Sequence, residues 1–265
     1  MRIALALEYA GSAFCGWQSQ PSACGVQDAL ERALSQVAAQ RVTVVAAGRT
    51  DAGVHAVSQV VSFDTDASRP VTAWVRGANA LLPPTVAVLW AREVPADFHA
   101  RFSATARHYT YLLHARAERP ALLAQHVGWY HHALDVDAMR AGAAQLPGTH
   151  DFSAFRASEC QAKSPVKTLA QLAIDGDGQW VRFDFSADAF VHHMVRNIVG
   201  SLVYVGARRQ PPAWIGALLA ARDRTRAAPT FAASGLYFCG ADYDARFGLP
   251  ATRRVVTMPS VQALQ

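Results

Sequence analysis

The sequence DGDG at residues 175–178 separates two short apolar stretches, 169–174 and 180–185. Glycine and aspartate in this arrangement are typical of the tight turn of a β-hairpin, because they accept the positive backbone φ angles that such a turn needs. A hairpin joins antiparallel strands. Together with the helical patterns elsewhere in the chain, this feature favours an α+β fold with a mixed, mainly antiparallel sheet flanked by helices.

Apolar residues recur with the period of a strand or of a helix along most of the chain. Alternation and β-branched runs predict about eight strands, the hairpin included; the others cover residues 2–10, 42–46, 59–63, 86–94, 109–113 and 236–239. A period of 3.6 residues predicts roughly five helices. They cover residues 26–38, 72–82, 136–146, 191–207 and 214–222, with Asp135 as the N-cap of the third.

Strands and helices alternate in both halves of the 265-residue chain, which is long enough to bury a sizeable core. We therefore expect an N-terminal α/β half over residues 1–105 and a C-terminal α/β half over residues 106–250. The halves show no obvious sequence repeat, so the pattern leaves a duplicated fold open. Residues 251–265 have no clear pattern, which is typical of a mobile tail.

The composition narrows the class of protein only modestly. The net charge of +5 favours a polyanionic partner. All basic residues except Lys163 and Lys167 are arginine, whose planar guanidinium suits phosphate oxygens and stacks on bases. A GC-rich genome explains the same bias about equally well, so the positions of the arginines carry more information than their number.

Neither a membrane segment nor a disulfide framework is predicted. No apolar run approaches the roughly eighteen residues that a membrane-spanning helix needs. The opening sequence MRIALALEYAG is typical of a strand rather than a signal peptide, because Glu8 interrupts its apolar pattern. No CxxC pair is present, so we expect a reduced cytoplasmic protein with four free thiols, namely Cys15, Cys24, Cys160 and Cys239.

The stretch AGRTDAGVHA, residues 47–56, follows a predicted strand and places Asp51 between two glycines that permit tight turns. An Asx-type turn or a helix N-cap is the plain alternative for an aspartate in such a loop. Arg49, Thr50 and His55 surround it, however, and no second acid lies nearby to complete an acid–base pair. Asp51 is therefore a candidate for a single catalytic carboxylate.

The stretch DFHARFSATARHYTYLL, residues 97–113, interleaves basic and aromatic side chains. Arginine holds phosphates and aromatic rings stack on exposed bases, so this mixture is typical of a nucleic-acid surface. A strand that turns its aromatic face to the core explains the same pattern. The side chains concerned are His99, Arg101, Arg107, His108, Tyr109 and Tyr111.

The stretch DAFVHHMVRNIVGSLVYVG, residues 188–206, carries an apolar stripe that is typical of a core helix. His192, His193 and Arg196 interrupt this stripe. An arginine there needs an acidic partner, because an unpaired buried charge is costly. Adjacent histidines on a helix face different directions and lack the i, i+4 spacing of a helical metal site, so no metal is predicted.

Taken together, these stretches resemble the TruA-type tRNA pseudouridine synthases. The matching motifs run in the family's order and cover nearly the whole chain, and GRTDAGVHA is specific. One departure is Cys15, which lies where family members carry an aromatic residue and puts no catalytic residue in doubt. The motifs are EYAGSAFCGWQSQ, GVQDALERAL, AGRTDAGVHA, FHARFSATARHYTY, DFSAFRASECQAKSP, FVHHMVRNIVGSL and GLYFCGADY.

The resemblance implies a pseudouridine synthase fold with two similar α/β halves around a central cleft. It implies an isomerase that converts uridine to pseudouridine at positions 38, 39 and 40 of the tRNA anticodon stem-loop, without a cofactor or a metal. It also implies a cytoplasmic homodimer whose basic cleft holds the tRNA, with no membrane partner.

The resemblance also assigns roles residue by residue. Asp51 is the catalytic nucleophile, Arg196 is its ion-pair partner, Tyr109 lines the uracil pocket, and Arg49 helps to displace the target base. Further tRNA contacts map onto Arg69, Phe98, His99, Ala100, Arg101, Phe102, Glu159, Cys160, Gln161, Ala162 and Lys163.

These roles fit a reaction in which the C1′–N1 bond breaks, the uracil turns, and C1′ joins C5. Water must be excluded, and a nearby guanidinium favours the ionised form of a sheltered carboxyl group. Attack of Asp51 on C6, attack on C1′ and removal of a proton all stay open. Two rival classes also stay open: a non-catalytic RNA-binding module, and an aspartate-dependent hydrolase of a small substrate.

Overall fold

The computed structural model describes residues 1–257, which form one mixed ten-stranded sheet with five α-helices. The α+β class predicted from the sequence is therefore confirmed. The strands are β1 Arg2–Tyr9, β2 Val45–Ala46, β3 His55–Asp64, β4 Val86–Val94, β5 Ala104–Ala115, β6 Gly128–Tyr130, β7 Gly148–Asp151, β8 Val166–Gly176, β9 Trp180–Ala187 and β10 Leu236–Tyr243. The helices are α1 Val26–Ala38, α2 Val71–Leu81, α3 Val136–Ala143, α4 Met194–Gly206 and α5 Trp214–Ala221.

The sheet has the strand order β4-β1-β3-β10-β5-β9-β8-β7, with β2 beside β3 and β6 beside β5. Neighbouring strands are antiparallel except for the pairs β3–β10 and β5–β6. In the β3–β10 pair, Tyr237 lies opposite His55 and Phe238 lies opposite Ala56. This pair joins the two parts of the chain into one continuous sheet.

The predicted hairpin is present as β8 and β9. Gly176 and Gly178 have φ angles of +148° and +94°, values that residues with side chains rarely adopt. A Cβ atom on Gly176 would overlap the carbonyl oxygen of Trp180. Asp177 Oδ1 accepts the Trp180 N–H at 2.9 Å, so both residue types in the DGDG turn serve the hairpin.

The helices pack into two apolar clusters that meet at Tyr109. Leu30 of α1 and Trp74 of α2 belong to the first cluster, and Met139 of α3 and Leu202 of α4 belong to the second. A fully buried leucine contributes roughly 1.5–3 kcal/mol to stability. Tyr109, on β5, packs against both clusters and therefore lies at the seam between them.

Strands β6 and β7 are not predicted from the sequence, because strands of three and four residues are too short to show alternation. Most of the predicted strand 42–46 is instead a loop whose Val42 and Val44 side chains are buried. Helix α3 ends at Ala143, before the predicted end at residue 146. Asp135 caps α3 as predicted, since its Oδ1 accepts the Ala138 N–H at 3.0 Å.

Helix α4 begins at Met194 rather than at the predicted residue 191. His193 has a φ angle of +63°, and this left-handed backbone separates the preceding residues from the regular helix. Within residues 1–257, no helix is both long enough and apolar enough to cross a lipid bilayer.

Residues 251–257, the first part of the predicted tail, lie beside β10 and β3. The Arg254 N–H donates to the carbonyl oxygen of Cys239 at 2.9 Å. The Ser58 hydroxyl donates to the carbonyl oxygen of Thr252 at 2.8 Å. Residues 258–265 of the predicted tail lie outside the described residues.

Cys15 and Cys24 form a disulfide, so the expectation of four reduced cysteines is wrong for this pair. Their Cα atoms lie 5.5 Å apart, within the usual range for a disulfide. The loop before α1 folds back on itself, since the Cys15 N–H donates to the Cys24 carbonyl oxygen at 3.0 Å. A separation of nine residues within one loop gives no CxxC signal. Cys160 and Cys239 are free thiols.

Candidate active site

Asp51 lies in the loop between β2 and β3, and the segment before α1 supports this loop. The Trp17 N–H donates to the Thr50 carbonyl oxygen at 2.9 Å, and the Tyr9 hydroxyl lies 2.8 Å from Thr50 Oγ1. Gly16 has a φ angle of +102°, and a Cβ atom there would lie 2.9 Å from the Thr50 carbonyl oxygen. Glycine therefore permits the close approach that fixes the backbone at Asp51.

The first turn of α4 supplies a cationic partner for Asp51. Arg196 NH1 donates to Asp51 Oδ2 at 3.0 Å, and Arg196 Nε donates to the Phe231 carbonyl oxygen at 2.8 Å. The exposed fractions of the two charged side chains are 15% for Arg196 and 22% for Asp51. Because a sheltered charge is costly without a partner, each side chain offsets the burial of the other.

Two histidines contact the same carboxylate. His192 Nε2 lies 3.1 Å from Asp51 Oδ1, and His193 Nε2 lies 3.3 Å from Asp51 Oδ2. The expectation that these adjacent histidines face different directions is wrong, because both residues precede α4 and His193 has left-handed backbone angles. No sequence signal available for this stretch indicates that conformation.

Burial lowers the pKa of His193 below its usual value, although the Asp51 carboxylate acts in the opposite direction. The neighbouring His192 and Arg196 lower the pKa of His193 further. His193 is therefore neutral at pH 7. A neutral imidazole at this position adds no second positive charge beside Arg196.

Asp51, His192 and His193 are also the one group of three metal-ligand side chains found within residues 1–257, with ligand atoms within 4.8 Å of one another. Histidine and aspartate can hold zinc. However, Arg196 NH1 contacts Asp51 Oδ2, and its positive charge opposes a bound cation. The arrangement fits an ion pair better than a metal centre, and the absence of a metal stays a prediction.

Tyr109 lies at the seam beside the Asp51 loop. Its ring packs edge-on against Phe190 and Phe238, with centroid distances of 5.0 and 5.1 Å. Burial raises the pKa of Tyr109 well above its usual value, and the charges of Tyr9 and Asp51 act in the same direction. The phenol is therefore neutral at pH 7, and its ring is suited to stacking on a nucleobase.

Arg107 joins three segments around the site. Its Nε and NH2 donate to the Ala47 carbonyl oxygen, each at 3.4 Å, and NH1 donates to those of Ala104 and Asp188 at 3.0 and 2.8 Å. NH2 also donates to the Arg101 carbonyl oxygen. These bonds use all five donors of the guanidinium. Arg107 therefore holds these three backbone segments together. The basic and aromatic pattern of residues 97–113 instead indicates a surface that binds phosphates.

Two predicted tRNA-contact arginines lie on the surface. Arg49 is exposed, and its side chain makes no hydrogen bond or ion pair with any other residue in the range 1–257. Arg69 is exposed and donates from Nε to the Val37 carbonyl oxygen at 3.1 Å. Arg49 thus lies two residues from Asp51 with its donors facing solvent.

The predicted contact segment after β4 combines buried anchors with an exposed tip. Phe98 and Ala100 are buried. Phe102 is 77% exposed, its ring stacks on His99 with a centroid distance of 4.3 Å, and the Arg101 guanidinium lies 5.6 Å from its centroid. An exposed aromatic ring beside a cation offers a platform for a nucleobase.

The predicted contact segment 159–163 abuts the two histidines. Arg156 donates to the carbonyl oxygens of Cys160 and Ala162 at 2.6 and 3.0 Å. The His192 N–H donates to Cys160 Sγ at 3.3 Å. Three exposed side chains of this segment face solvent: Glu159, Gln161 and Lys163.

Comparison with known proteins points to one family. The sequence matches a family model described as tRNA pseudouridine synthase over residues 5–103 and 143–244. A tRNA pseudouridine synthase A of Chromobacterium violaceum is 65% identical over 253 residues, which cover 95% of this chain and 96% of that relative. A protein of the same name from Thiobacillus denitrificans is 60% identical, and the alignment covers 94% of this chain and 96% of that relative. Another from Methylobacillus flagellatus is 57% identical, and the alignment covers 96% of this chain and 97% of that relative. The chain therefore belongs to the tRNA pseudouridine synthase family.

Proposed function

We propose that this protein isomerises uridine to pseudouridine in tRNA, with Asp51 as the nucleophile. One observation carries the proposal: the partly buried Asp51 carboxylate is held by Arg196, in a loop whose Gly48 lies beside the Tyr109 hydroxyl. Family membership supports the same activity, since the relatives carry the name of that enzyme.

Each proposed role follows from a physical requirement of the reaction. The target base has to leave its stack, at a cost of roughly a few kcal/mol. Stacking on Tyr109 offsets this cost by roughly 1–3 kcal/mol. Arg49, whose guanidinium is exposed, fills the vacated space and holds phosphate oxygens. Asp51 then acts on the extruded uridine in a site sheltered from water.

The target that we propose is the anticodon stem-loop at positions 38, 39 and 40. Exposed side chains on three segments around Asp51 are suited to a nucleic acid, namely Arg49, Arg101, Phe102 and Lys163. The proposal includes a cytoplasmic homodimer whose basic cleft holds the tRNA. It also includes the division into halves 1–105 and 106–250. Most members of each apolar cluster come from one half, but Phe238, Ala241 and Phe247 belong to the first cluster and Val54 to the second.

Site-resolved mapping of pseudouridine in tRNA transcripts tests the proposal. Purified protein is incubated with unmodified transcripts in the presence of a chelator, and product is expected at all three positions. Absence of product at these positions would defeat the proposed target. Absence of pseudouridine anywhere in the transcript would defeat the activity itself and favour the alternative, a non-catalytic RNA-binding module.

A further inference from the structure

Arg196 has a second partner besides Asp51, the segment of residues 229–231. Arg196 Nε donates to the Phe231 carbonyl oxygen at 2.8 Å, and the Phe231 N–H donates to the Arg196 carbonyl oxygen at 3.2 Å. The same guanidinium donates from NH1 to Asp51 Oδ2 at 3.0 Å. Because a guanidinium is planar and holds its donors in a fixed arrangement, the direction of NH1 depends on where the Phe231 carbonyl oxygen lies.

The next residue of α4, Asn197, binds the same segment through its side chain. Asn197 is fully buried. Its Oδ1 accepts the Thr230 hydroxyl at 2.7 Å, and its Nδ2 donates to the Phe155 carbonyl oxygen at 2.8 Å. Three hydrogen bonds therefore join two adjacent residues of α4 to two adjacent residues of this segment.

Arg224 stabilises this contact from outside α4. It belongs to the basic run RDRTR, residues 222–226, which lies outside the motifs that carry the site residues described above. Its NH2 donates to Asn197 Oδ1 at 3.1 Å and to Thr230 Oγ1 at 3.2 Å, and its NH1 donates to the Ala227 carbonyl oxygen at 3.4 Å. Hydrogen bonds from a charged donor are roughly twice as strong as neutral ones, so Arg224 fixes both side chains of the contact.

Burial of apolar surface contributes little to the position of this segment. Pro229 and Ala232, on either side of the contact, are exposed. The partly buried Phe231 ring packs at the edge of the second apolar cluster. A short segment with few apolar contacts is held mainly by its hydrogen bonds, so Thr230 and Arg224 determine where the Phe231 carbonyl oxygen lies.

We propose that Thr230 and Arg224 are positioning residues for the isomerisation. Their hydrogen bonds hold the Phe231 carbonyl oxygen, which orients the Arg196 guanidinium, and this guanidinium in turn holds the Asp51 carboxylate. A displacement of about 1 Å at a reacting group can slow a reaction on the order of 10²-fold. This inference rests on the proposed pseudouridine synthase activity.

Thr230→Val tests the role, because it removes the hydroxyl and keeps the branched shape of the side chain. Arg224 NH2 still has Asn197 Oδ1 as an acceptor in this variant. The measurements are the single-turnover rate of pseudouridine formation at saturating enzyme and the Kd for a tRNA transcript. The rate should fall by about tenfold, because Arg196 is only partly displaced, while the Kd stays at the wild-type value. Thr230→Ser keeps the hydroxyl and should react at the wild-type rate.

Ser201→Ala is the matched control, because Ser201 is also fully buried and its hydroxyl also bonds to Asn197. That bond goes to the backbone carbonyl oxygen of Asn197 at 3.0 Å, within α4, and does not involve residues 229–231. Ser201→Ala should therefore keep the wild-type rate. Arg224→Met should show the same slower rate and unchanged Kd as Thr230→Val, and urea unfolding shows that each variant is folded.

A wild-type rate in folded Thr230→Val or in folded Arg224→Met would overturn the positioning role. Weaker tRNA binding at an unchanged rate would overturn it too, and so would a Thr230→Ser variant as slow as Thr230→Val. Equal slowing by Ser201→Ala would show a general loss of packing instead. A wild-type protein that makes no pseudouridine would overturn the proposed function, and the positioning role with it.

Discussion

At the scale of single residues, Asp51 has to be sheltered from water and negatively charged at the same time. Arg196 meets both requirements, since its guanidinium contacts Oδ2 and is itself only 15% exposed. The two charges support each other, and removing one of them strands the other in a partly buried position. This dependence can be measured as a coupling energy.

Replacing Arg196 with methionine removes the charge and keeps much of the side-chain volume. We expect Arg196→Met to lose nearly all turnover. We also expect its free energy of unfolding to fall by about 1.5–3 kcal/mol, the range for a hydrogen bond to a charged group. Urea unfolding and single-turnover assays measure the two effects.

The double variant Arg196→Met/Asp51→Asn separates charge from packing. A neutral amide no longer needs the cation, so the double variant should regain part of the lost stability while staying inactive. A double-mutant cycle gives the coupling between the two sites. A coupling of zero would contradict the ion pair between Arg196 and Asp51 as the source of the stability that Arg196→Met loses.

The candidate residues Asp51, Arg196 and Tyr109 can be selected from the sequence, because each lies in a motif with its own pattern. The approach of His192 to Asp51 cannot be selected in this way, since it depends on the left-handed backbone of His193. The role of Arg107 cannot be predicted from the sequence either, because its hydrogen-bond partners are carbonyl oxygens on three separate segments.

At the scale of secondary-structure elements, the loop before α1 supports the loop that carries Asp51. Gly16 lies against the Thr50 carbonyl oxygen with a φ angle of +102°. Gly16→Ala should therefore displace the Asp51 loop and reduce turnover. It should also lower the free energy of unfolding by about 1–3 kcal/mol, the usual cost of strained backbone.

Gly48→Ala is the control for stability. A Cβ atom on Gly48 would find its nearest neighbour, a ring carbon of Phe238, at 3.7 Å, which is an ordinary contact. Gly48→Ala should therefore unfold at nearly the wild-type urea concentration. If Gly16→Ala proved as stable as Gly48→Ala, close packing of the two loops would not be what fixes Asp51.

Elements are predictable where local pattern and tertiary packing agree. Helix α1 and strand β4 begin and end at the predicted residues, since their apolar periodicity matches their buried faces. Strands β6 and β7 depend instead on their neighbours β5 and β8. The start of α4 depends on one backbone angle, at His193, that no periodicity encodes.

At the scale of the whole molecule, three sheltered histidines make stability depend on pH. Burial is the main cause that lowers the pKa of His55, His114 and His193. In the unfolded chain a histidine has a pKa of about 6.5. Below that pH the unfolded state binds more protons than the folded state, so the free energy of unfolding decreases as the pH falls.

We therefore expect the free energy of unfolding to be larger at pH 7.5 than at pH 5.5. His55 accounts for part of the difference, because its Nδ1 accepts the Gly11 N–H and its Nε2 faces the Gln125 carbonyl oxygen. Urea unfolding at both pH values measures the slope, and His55→Gln should flatten it. A stability that is equal or greater at pH 5.5 would refute this account.

The assembly of the sheet is the part of the whole molecule that the sequence predicts least. The parallel contact between β3 and β10 pairs strands that are far apart in the chain. Local patterns define each strand but not its distant neighbour or its register. The seam at Tyr109, and with it the site, exists only once these distant strands have met.

Binding and turnover of tRNA by Asp51→Asn test the central claim most directly. The substitution removes one negative charge and nearly preserves the shape of the side chain. The proposed role of Asp51 predicts that the variant binds tRNA as tightly as the wild type or more tightly, because a charge facing a polyanion is lost, while pseudouridine formation disappears. A variant that keeps wild-type turnover, or that loses tRNA binding and turnover together, would contradict it.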